Sequence, residues 1–179
     1  MQYSILAHLL SENARLKAEN VKLHDIAYTD PLTKVFSRRY FQEQLQREWD
    51  RCYRQARPLG LLFIDIDNLK MLNTALGHYG ADQAIALIAT KIKECAKRAT
   101  DIVARYGGDE FVVLLSDIEP YELEYLIACI EQTIGMTGYS VSCGYCILIP
   151  GLNTTPQNLI EYANQQMYNN KNTKKAEVA

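Results

Sequence analysis

The sequence predicts an α+β fold: a central, mostly antiparallel β-sheet with flanking helices, preceded by an N-terminal helix. Three observations carry that expectation. Leu59–Asp67 is a short, almost wholly apolar run, as expected of a buried strand. Two β-prone runs, Ile102–Tyr106 and Phe111–Leu115, flank Gly107-Gly108, a strong hairpin signal. Apolar stripes at helical spacing fill the intervals, and helices alternating with paired strands must bury their apolar faces in layers. With 179 residues, 48% of them hydrophobic, 22% charged and a net charge of −2, the chain fits one domain with an appendage. That length supports a core without disulfide or metal staples, and the composition excludes a disordered chain.

Taken in order, Met1–Ala27 has no Gly or Pro and carries Leu9, Leu16 and Leu23 seven apart. With these at d positions, Leu6, Asn13, Asn20 and Ala27 fall at a, and Asn at a favours a defined register between paired helices. Residues 1–27 therefore read as a helical stem, either a parallel coiled coil that makes a homodimer or one amphipathic helix docked on the body, residues 28–179. Asp30 suits an N-cap and Pro31 a first helical position. Phe41, Leu45, Trp49, Cys52 and Ala56 mark a helix from Ser37 to about Arg57, ended by Pro58. After the buried strand, Ala81, Ile85, Ile88, Ile92, Cys95 and Ala99 mark a second long helix. The hairpin follows. Leu123, Leu126, Ile127, Ile130 and Ile134 make a third helix ended by Gly135, Tyr139–Ile149 a further strand, and Leu159, Ile160, Ala163 and Met167 a last helix.

Several function classes are excluded. A near-neutral charge argues against a broad nucleic-acid face. The longest apolar stretches, around Leu59–Ile64 and Val112–Leu115, fall far short of the ~20 residues that cross a bilayer. Ser4–Leu10 lacks a basic lead and is not read as a signal peptide. The odd, scattered set Cys52, Cys95, Cys129, Cys143 and Cys146 predicts reduced thiols and a cytoplasmic protein. Cys143-Gly-Tyr-Cys146 has the spacing of a redox or zinc pair. Inside a strand, however, residues three apart face opposite ways, and no second pair completes a zinc set, so buried thiols are expected.

Two acidic groups stand where strands end: Asp65 and Asp67 close the first strand, and Asp109 and Glu110 lie at the hairpin tip. If those strands are neighbours, the carboxylates converge, and they repel one another unless a cation neutralises them. Oxygen ligands select Mg²⁺ or Mn²⁺, and Mg²⁺ favours phosphate substrates. Gly107 and Gly108 let backbone approach a ligand with no Cβ in the way.

Arg105-Tyr106-Gly107-Gly108-Asp109-Glu110-Phe111 is the GGDEF signature, and the chain resembles the GGDEF family, the diguanylate cyclases, from Asp30 to about Lys175. Asp30-Pro31-Leu32-Thr33 with Arg38-Arg39 resembles the family's opening motif, Phe63–Lys70 with Asn73 its metal and phosphate segment, and Gly77–Asp82 its GHxxGD stretch. The resemblance implies a nucleotidyl-cyclase or polymerase-palm-like, ferredoxin-like fold. It also implies an enzyme in which two GTP-loaded domains face each other and make cyclic di-GMP with release of two pyrophosphates. On matching positions, Asp65 and Asp109 would be the Mg²⁺ (or Mn²⁺) carboxylates, with the Ile66 carbonyl assisting, and Asp109 or Glu110 would help deprotonate the attacking hydroxyl. Backbone N–H groups of Asn68, Leu69 and Lys70 would cradle phosphates at a helix start. Asn73 and Asp82 would read the guanine edge, and Lys171 and Lys175 would contact phosphate. His78 reads as a structural residue. Arg98-Ala99-Thr100-Asp101 is an RxxD motif at the spacing of the family's product-inhibition site, where Arg and Asp would hold cyclic di-GMP.

Departures from the family pattern gather around substrate positioning. Lys34, Val35 and Ser37 stand in the opening motif where Gly, Leu and Asn are usual. Leu69 replaces Phe, Thr74 replaces Asp, Ala81 replaces Gly beside Asp82, and Asn164 replaces Asp. Lys174-Lys175-Ala176 stands for Gly-Arg-Asn, so Lys175 keeps the charge without the bidentate fork. Two alternatives stand beside the cyclase: a degenerate domain that binds GTP or cyclic di-GMP as a signalling module, and a cyclase making a mixed or adenine-containing product, against which Asp82 counts.

Overall fold

The computed structural model describes residues 10, 12–17, 19 and 26–178. Residues 12–17 and 26–28 are helical. Within the heptad frame, Leu6, Leu9, Asn20 and Leu23 lie outside the described residues. The body runs β1 (Phe36–Ser37), α1 (Arg38–Gln55), β2 (Leu59–Ile66), α2 (Leu69–Cys95), β3 (Ile102–Gly107), β4 (Glu110–Ser116), α3 (Pro120–Gly135), β5 (Val141–Leu148) and α4 (Pro156–Val178). Among the described residues the strands form one five-stranded sheet in the order β1-β3-β4-β2-β5. Only β1 and β3 pair in parallel; β3–β4, β4–β2 and β2–β5 are antiparallel. The α+β fold with a mostly antiparallel sheet is the expected one.

Alternation along the strands explains the layering. β2 is buried along its whole length because it sits between β4 and β5 with helices over both faces. Leu62, Ile64 and Ile66 join Phe111, Val113 and Leu115 beneath Ile85, Ile88 and Ile92 of α2 and Leu126, Ile130 and Ile134 of α3. Leu61 and Phe63 join Val112 and Leu114 on the other face, under Phe41, Leu45 and Trp49 of α1 and Leu159, Ala163 and Met167 of α4. Each fully buried Leu, Ile or Phe contributes about 1.5–3 kcal/mol.

Cys143 and Cys146 lie on opposite faces, Cys143 buried in one core and Cys146 half-buried against the other, and among the described residues all five cysteines are free thiols. The residue between them that matters is Gly144. A Cβ there would stand 2.5 Å from Met167 Cα and 2.6 Å from Ala163 O, so only glycine lets α4 lie directly on β5.

Three local expectations need correction. Asp30 does not start a helix. Its carboxylate accepts from Thr33 N–H at 2.9 Å and Thr33 Oγ1 at 2.7 Å, and Asp30 C=O accepts from Lys34 N–H, closing a turn. The N-cap of α1 is Ser37, whose Oγ accepts from Tyr40 N–H at 3.3 Å. The second helix stops at Cys95 rather than reaching Ala99, and it kinks at Gly77, whose φ of 69° suits a residue without Cβ. β1, only two residues long, carries no periodicity by which the sequence could announce it.

Candidate functional site

The sheet brings the two acidic groups together. Asp65 lies directly opposite Glu110 in the β2–β4 register, and Ile66 N–H donates to Asp109 C=O at 3.1 Å. Asp65 is only 8% exposed, and Lys171 reaches it from α4 to form an ion pair. Burial pushes the Asp65 carboxyl up; Lys171 opposes the rise, while Asp109 and Asp67 add to it. Burial likewise raises Glu110, and the charges of Asp65 and Asp109 raise it further. Asp67 is drawn away: it accepts from Ser142 Oγ at 2.7 Å, and its N–H donates to Ser140 C=O.

The hairpin tip is held in place by Arg105, which in the sequence stands out only as part of the signature motif. Arg105 donates through Nε (3.1 Å) and Nη2 (2.7 Å) to Gly108 C=O, and its Nη1 lies 3.3 Å from Asp30 Oδ1. A Cβ on Gly107 would stand 2.9 Å from Glu110 Oε2, so glycine there leaves room for the carboxylate. Arg38, at the start of α1, stacks on Tyr106 with Cζ 4.2 Å from the ring centroid, and its charge acts on Glu110. Beside the tip, Asp30, Ser37, Arg38, Arg105 and Gly108 line a hollow of about 280 Å³. The signal for Arg38 and Arg105 was present as two arginines flanking apolar runs, but a lone arginine does not announce its partner.

Asn68 caps α2 in the left-handed region, φ 56°, so the chain turns sharply from β2 into the helix. First-turn N–H groups have no intrahelical acceptor, which leaves those of Asn68, Leu69 and Lys70 at the β2 end of the sheet. The Leu69 side chain packs on the core, while Lys70 is exposed. Asn73 precedes the Gly77 kink and Asp82 follows it, the first half-buried and the second exposed. Two departures prove local. Thr74 Oγ1 donates back to Lys70 C=O at 3.0 Å, and the Ala81 methyl is buried at the head of the stripe that continues through Ala84 and Ile85. His78 is exposed.

On α4 the neighbouring lysines part ways. Lys174 donates to Val141 C=O (2.8 Å) and Glu131 Oε1 (3.1 Å), whereas Lys175 lies exposed one turn beyond Lys171. Arg98 and Asp101 meet at the opposite end of β3 from the hairpin. Asp101 N–H donates to Arg98 C=O, Arg98 N–H donates to Asp101 Oδ2 at 3.0 Å, and Arg98 Nη2 donates to Ser116 C=O. Asp101 Oδ1 is 3.3 Å from Arg98 Nε, close enough for charge attraction but off the N–H direction. Burial raises the Asp101 carboxyl, partly offset by Arg98.

The donor set suits a hard divalent ion. Among the described residues no three His, Cys, Asp or Glu side chains form a cage. Mg²⁺, however, is ordinarily held by one or two carboxylates plus substrate phosphates. A buried Asp65 beside two further carboxylates, already drawing a cationic ammonium, offers that arrangement. Among the described residues no helix is long and apolar enough to cross a membrane.

A family model described as diguanylate cyclase, GGDEF domain, matches residues 27–177. Diguanylate cyclase TpbB of Pseudomonas aeruginosa is 34% identical over 174 residues, covering 92% of this chain and 40% of the relative's own length. The coiled coil and GGDEF domain of DgcB from Caulobacter crescentus, solved with c-di-GMP, superposes with a TM-score of 0.88 at 24% identity, covering 95% of this chain and 94% of that one. The GGDEF domain of TpbB superposes at 0.74 with 29% identity, covering 82% and 90%. Matched along nearly all of its body, the chain belongs to the GGDEF-domain family.

Proposed function

We propose that the chain is a diguanylate cyclase, condensing two GTP into cyclic di-GMP with release of two pyrophosphates. The observation that carries this reading is the meeting of Asp65, from the end of β2, with Asp109 and Glu110 from the hairpin tip. Asp65 and Asp109, with the Ile66 carbonyl, would hold Mg²⁺ or Mn²⁺. Such an ion, when bound, supplies neutralisation of the triphosphate and acidification of the attacking 3′-hydroxyl.

The remaining work belongs to the chain's own groups. The N–H groups of Asn68, Leu69 and Lys70 cradle phosphate at the positive end of α2. Lys171, paired with Asp65 here, would contact phosphate when the substrate is bound, and Lys175 would add charge one turn away. Gly107 and Gly108 admit the nucleotide close to backbone. Asn73 and Asp82 read the guanine edge, since a carboxylate accepts from N1–H and N2–H₂. Asp109 or Glu110 would help take the hydroxyl proton; burial, and then the charges of Asp65 and Asp109, raise the Glu110 carboxyl. Each domain supplies half of the reaction, so residues 1–27 would act as a dimerising stem ahead of the catalytic body, residues 28–179. The DgcB chain it superposes on is one with a coiled coil and a GGDEF domain. Arg98 and Asp101 would form a product-inhibition site once their mutual pairing opens to guanine. Five free thiols fit a cytoplasmic location.

Purified protein with GTP and Mg²⁺, its nucleotides separated chromatographically, tests the reading. Cyclic di-GMP should form, and Asp109→Ala should reduce it by about a hundredfold or more. No product at high protein concentration, with tight cyclic di-GMP binding, would instead establish the signalling module. An adenine-containing product from mixed nucleotides would reject Asp82 as a guanine reader.

A further inference from the structure

Two cysteines from different helices meet at the end of the sheet away from the carboxylate cluster. Cys95 is the last residue of α2, and Cys129 lies within α3. Their sulfurs stand 2.9 Å apart, within roughly 1 Å of a bonded S–S distance of about 2.05 Å. Both helices are fixed on the same sheet face, α2 through Ile88 and Ile92 and α3 through Ile130 and Ile134. Cys95 Sγ donates to Thr133 Oγ1 at 3.6 Å, and the same hydroxyl lies 4.0 Å from Cys129 Sγ. The other cysteines are placed differently: Cys52 donates to Pro58 C=O, and Cys143 and Cys146 are separated by the sheet.

The pair is also reachable. Cys95 and Cys129 are half-buried and line a cavity of about 520 Å³ together with Leu115, Leu126 and the exposed Tyr121 and Tyr125. Lys97, Arg98, Asp101 and Glu122 line the same cavity, which is large enough to admit a small uncharged oxidant. The segment between the two cysteines contains the Arg98–Asp101 turn and the whole β3–β4 hairpin.

We propose that Cys95 and Cys129 are an oxidisable dithiol, which hydrogen peroxide converts to a disulfide that fastens the end of α2 to α3. Burial, and then the neighbouring Cys129 thiol, push Cys95 up to about 11, so the reaction starts from whichever sulfur of the coupled pair gives up its proton. That sulfur, as thiolate, attacks one peroxide oxygen and the O–O bond breaks. This leaves a sulfenic acid on the first cysteine and a hydroxide that is protonated to water. The second sulfur then attacks the sulfenic sulfur, the S–S bond forms, and the sulfenic hydroxyl leaves as water with the second thiol's proton. Two thiols lose two electrons, and one peroxide gains them to become two waters.

The experiment is a hydrogen peroxide titration of the full chain, read by thiol counting in denaturant and by non-reducing peptide mapping. Two of the five thiols should disappear, and one cross-linked peptide pair, Cys95 with Cys129, should account for them. The unfolding midpoint should rise with the cross-link and return on adding dithiothreitol, because closing that loop restricts the unfolded chain. Cys146→Ser should keep this response; Cys95→Ser and Cys129→Ser should each lose it. Thiol loss without the Cys95–Cys129 peptide, or a dominant cross-link through Cys52, Cys143 or Cys146, would overturn the proposal on the unmodified chain alone.

Discussion

Asp30 illustrates how one side chain can be misjudged in sequence and still matter to the site. Read locally, an Asp before Pro is a helix cap; folded, it closes a turn around Thr33 and receives Arg105, the residue that grips the hairpin carbonyl of Gly108. Sequence spacing predicts the cap because both structures use the same Asx geometry, and only the tertiary partner distinguishes them. Burial alone would raise the Asp30 carboxyl, but hydrogen bonds from Thr33 and the charge of Arg105 hold it below its ordinary value of 3.8. A depressed carboxylate adds stability that is complete above that ordinary value and is lost as pH falls through the lower folded value. Asp30→Ala should therefore destabilise the protein by about 1 kcal/mol at pH 7. The difference from the unmodified chain should shrink below pH 3.8 in acid unfolding curves. Curves that stay parallel to the lowest pH would mean that Asp30 carries no linked proton. The carboxylates themselves were easier to read: Asp65, Asp109 and Glu110 sit at strand ends that the apolar pattern already delimits. Arg38 and Arg105 were not, because Arg38 stacks on a ring 68 residues away and Arg105 pairs with Asp30, 75 residues away.

Among the elements, the hairpin and the helices with long stripes were legible because their periodicity spans many residues. β1 was not, since two residues have no period, and the end of α2 was overrun because Ala99 continues a stripe that the backbone has already left. Two glycines show how the elements assign different jobs to one residue type. At Gly144 an added Cβ meets backbone of α4, which cannot yield without lifting the helix off β5. At Gly107 it meets the end of the Glu110 side chain, which can turn aside. Gly144→Ala should cost about 3 kcal/mol or more in denaturant unfolding. Gly107→Ala should leave stability within about 1 kcal/mol while lowering nucleotide turnover, because it displaces a carboxylate rather than a helix. Equal losses of stability in both variants would contradict this division.

Across the whole molecule, the described end of the stem is tied to the body near the hairpin's own sheet edge. Ser37 Oγ donates to Ala27 C=O at 3.0 Å, Tyr28 OH donates to Glu43 at 2.8 Å, and Ser37 pairs with Arg105 in the β1–β3 register. If paired stems bring two bodies together, removing residues 1–27 should lower turnover per chain at low protein concentration and restore it as concentration rises. Turnover unaffected at any concentration would mean that the body pairs unaided. Beneath that arrangement lies the claim that Asp65 and Asp109 serve one divalent ion against a guanosine triphosphate. Electron paramagnetic resonance titration of Mn²⁺ with a non-hydrolysable GTP analogue tests it most directly. Mn²⁺ binding should be saturable and should weaken about tenfold or more in both Asp65→Asn and Asp109→Asn; full affinity in either folded variant would contradict a site shared by the two carboxylates.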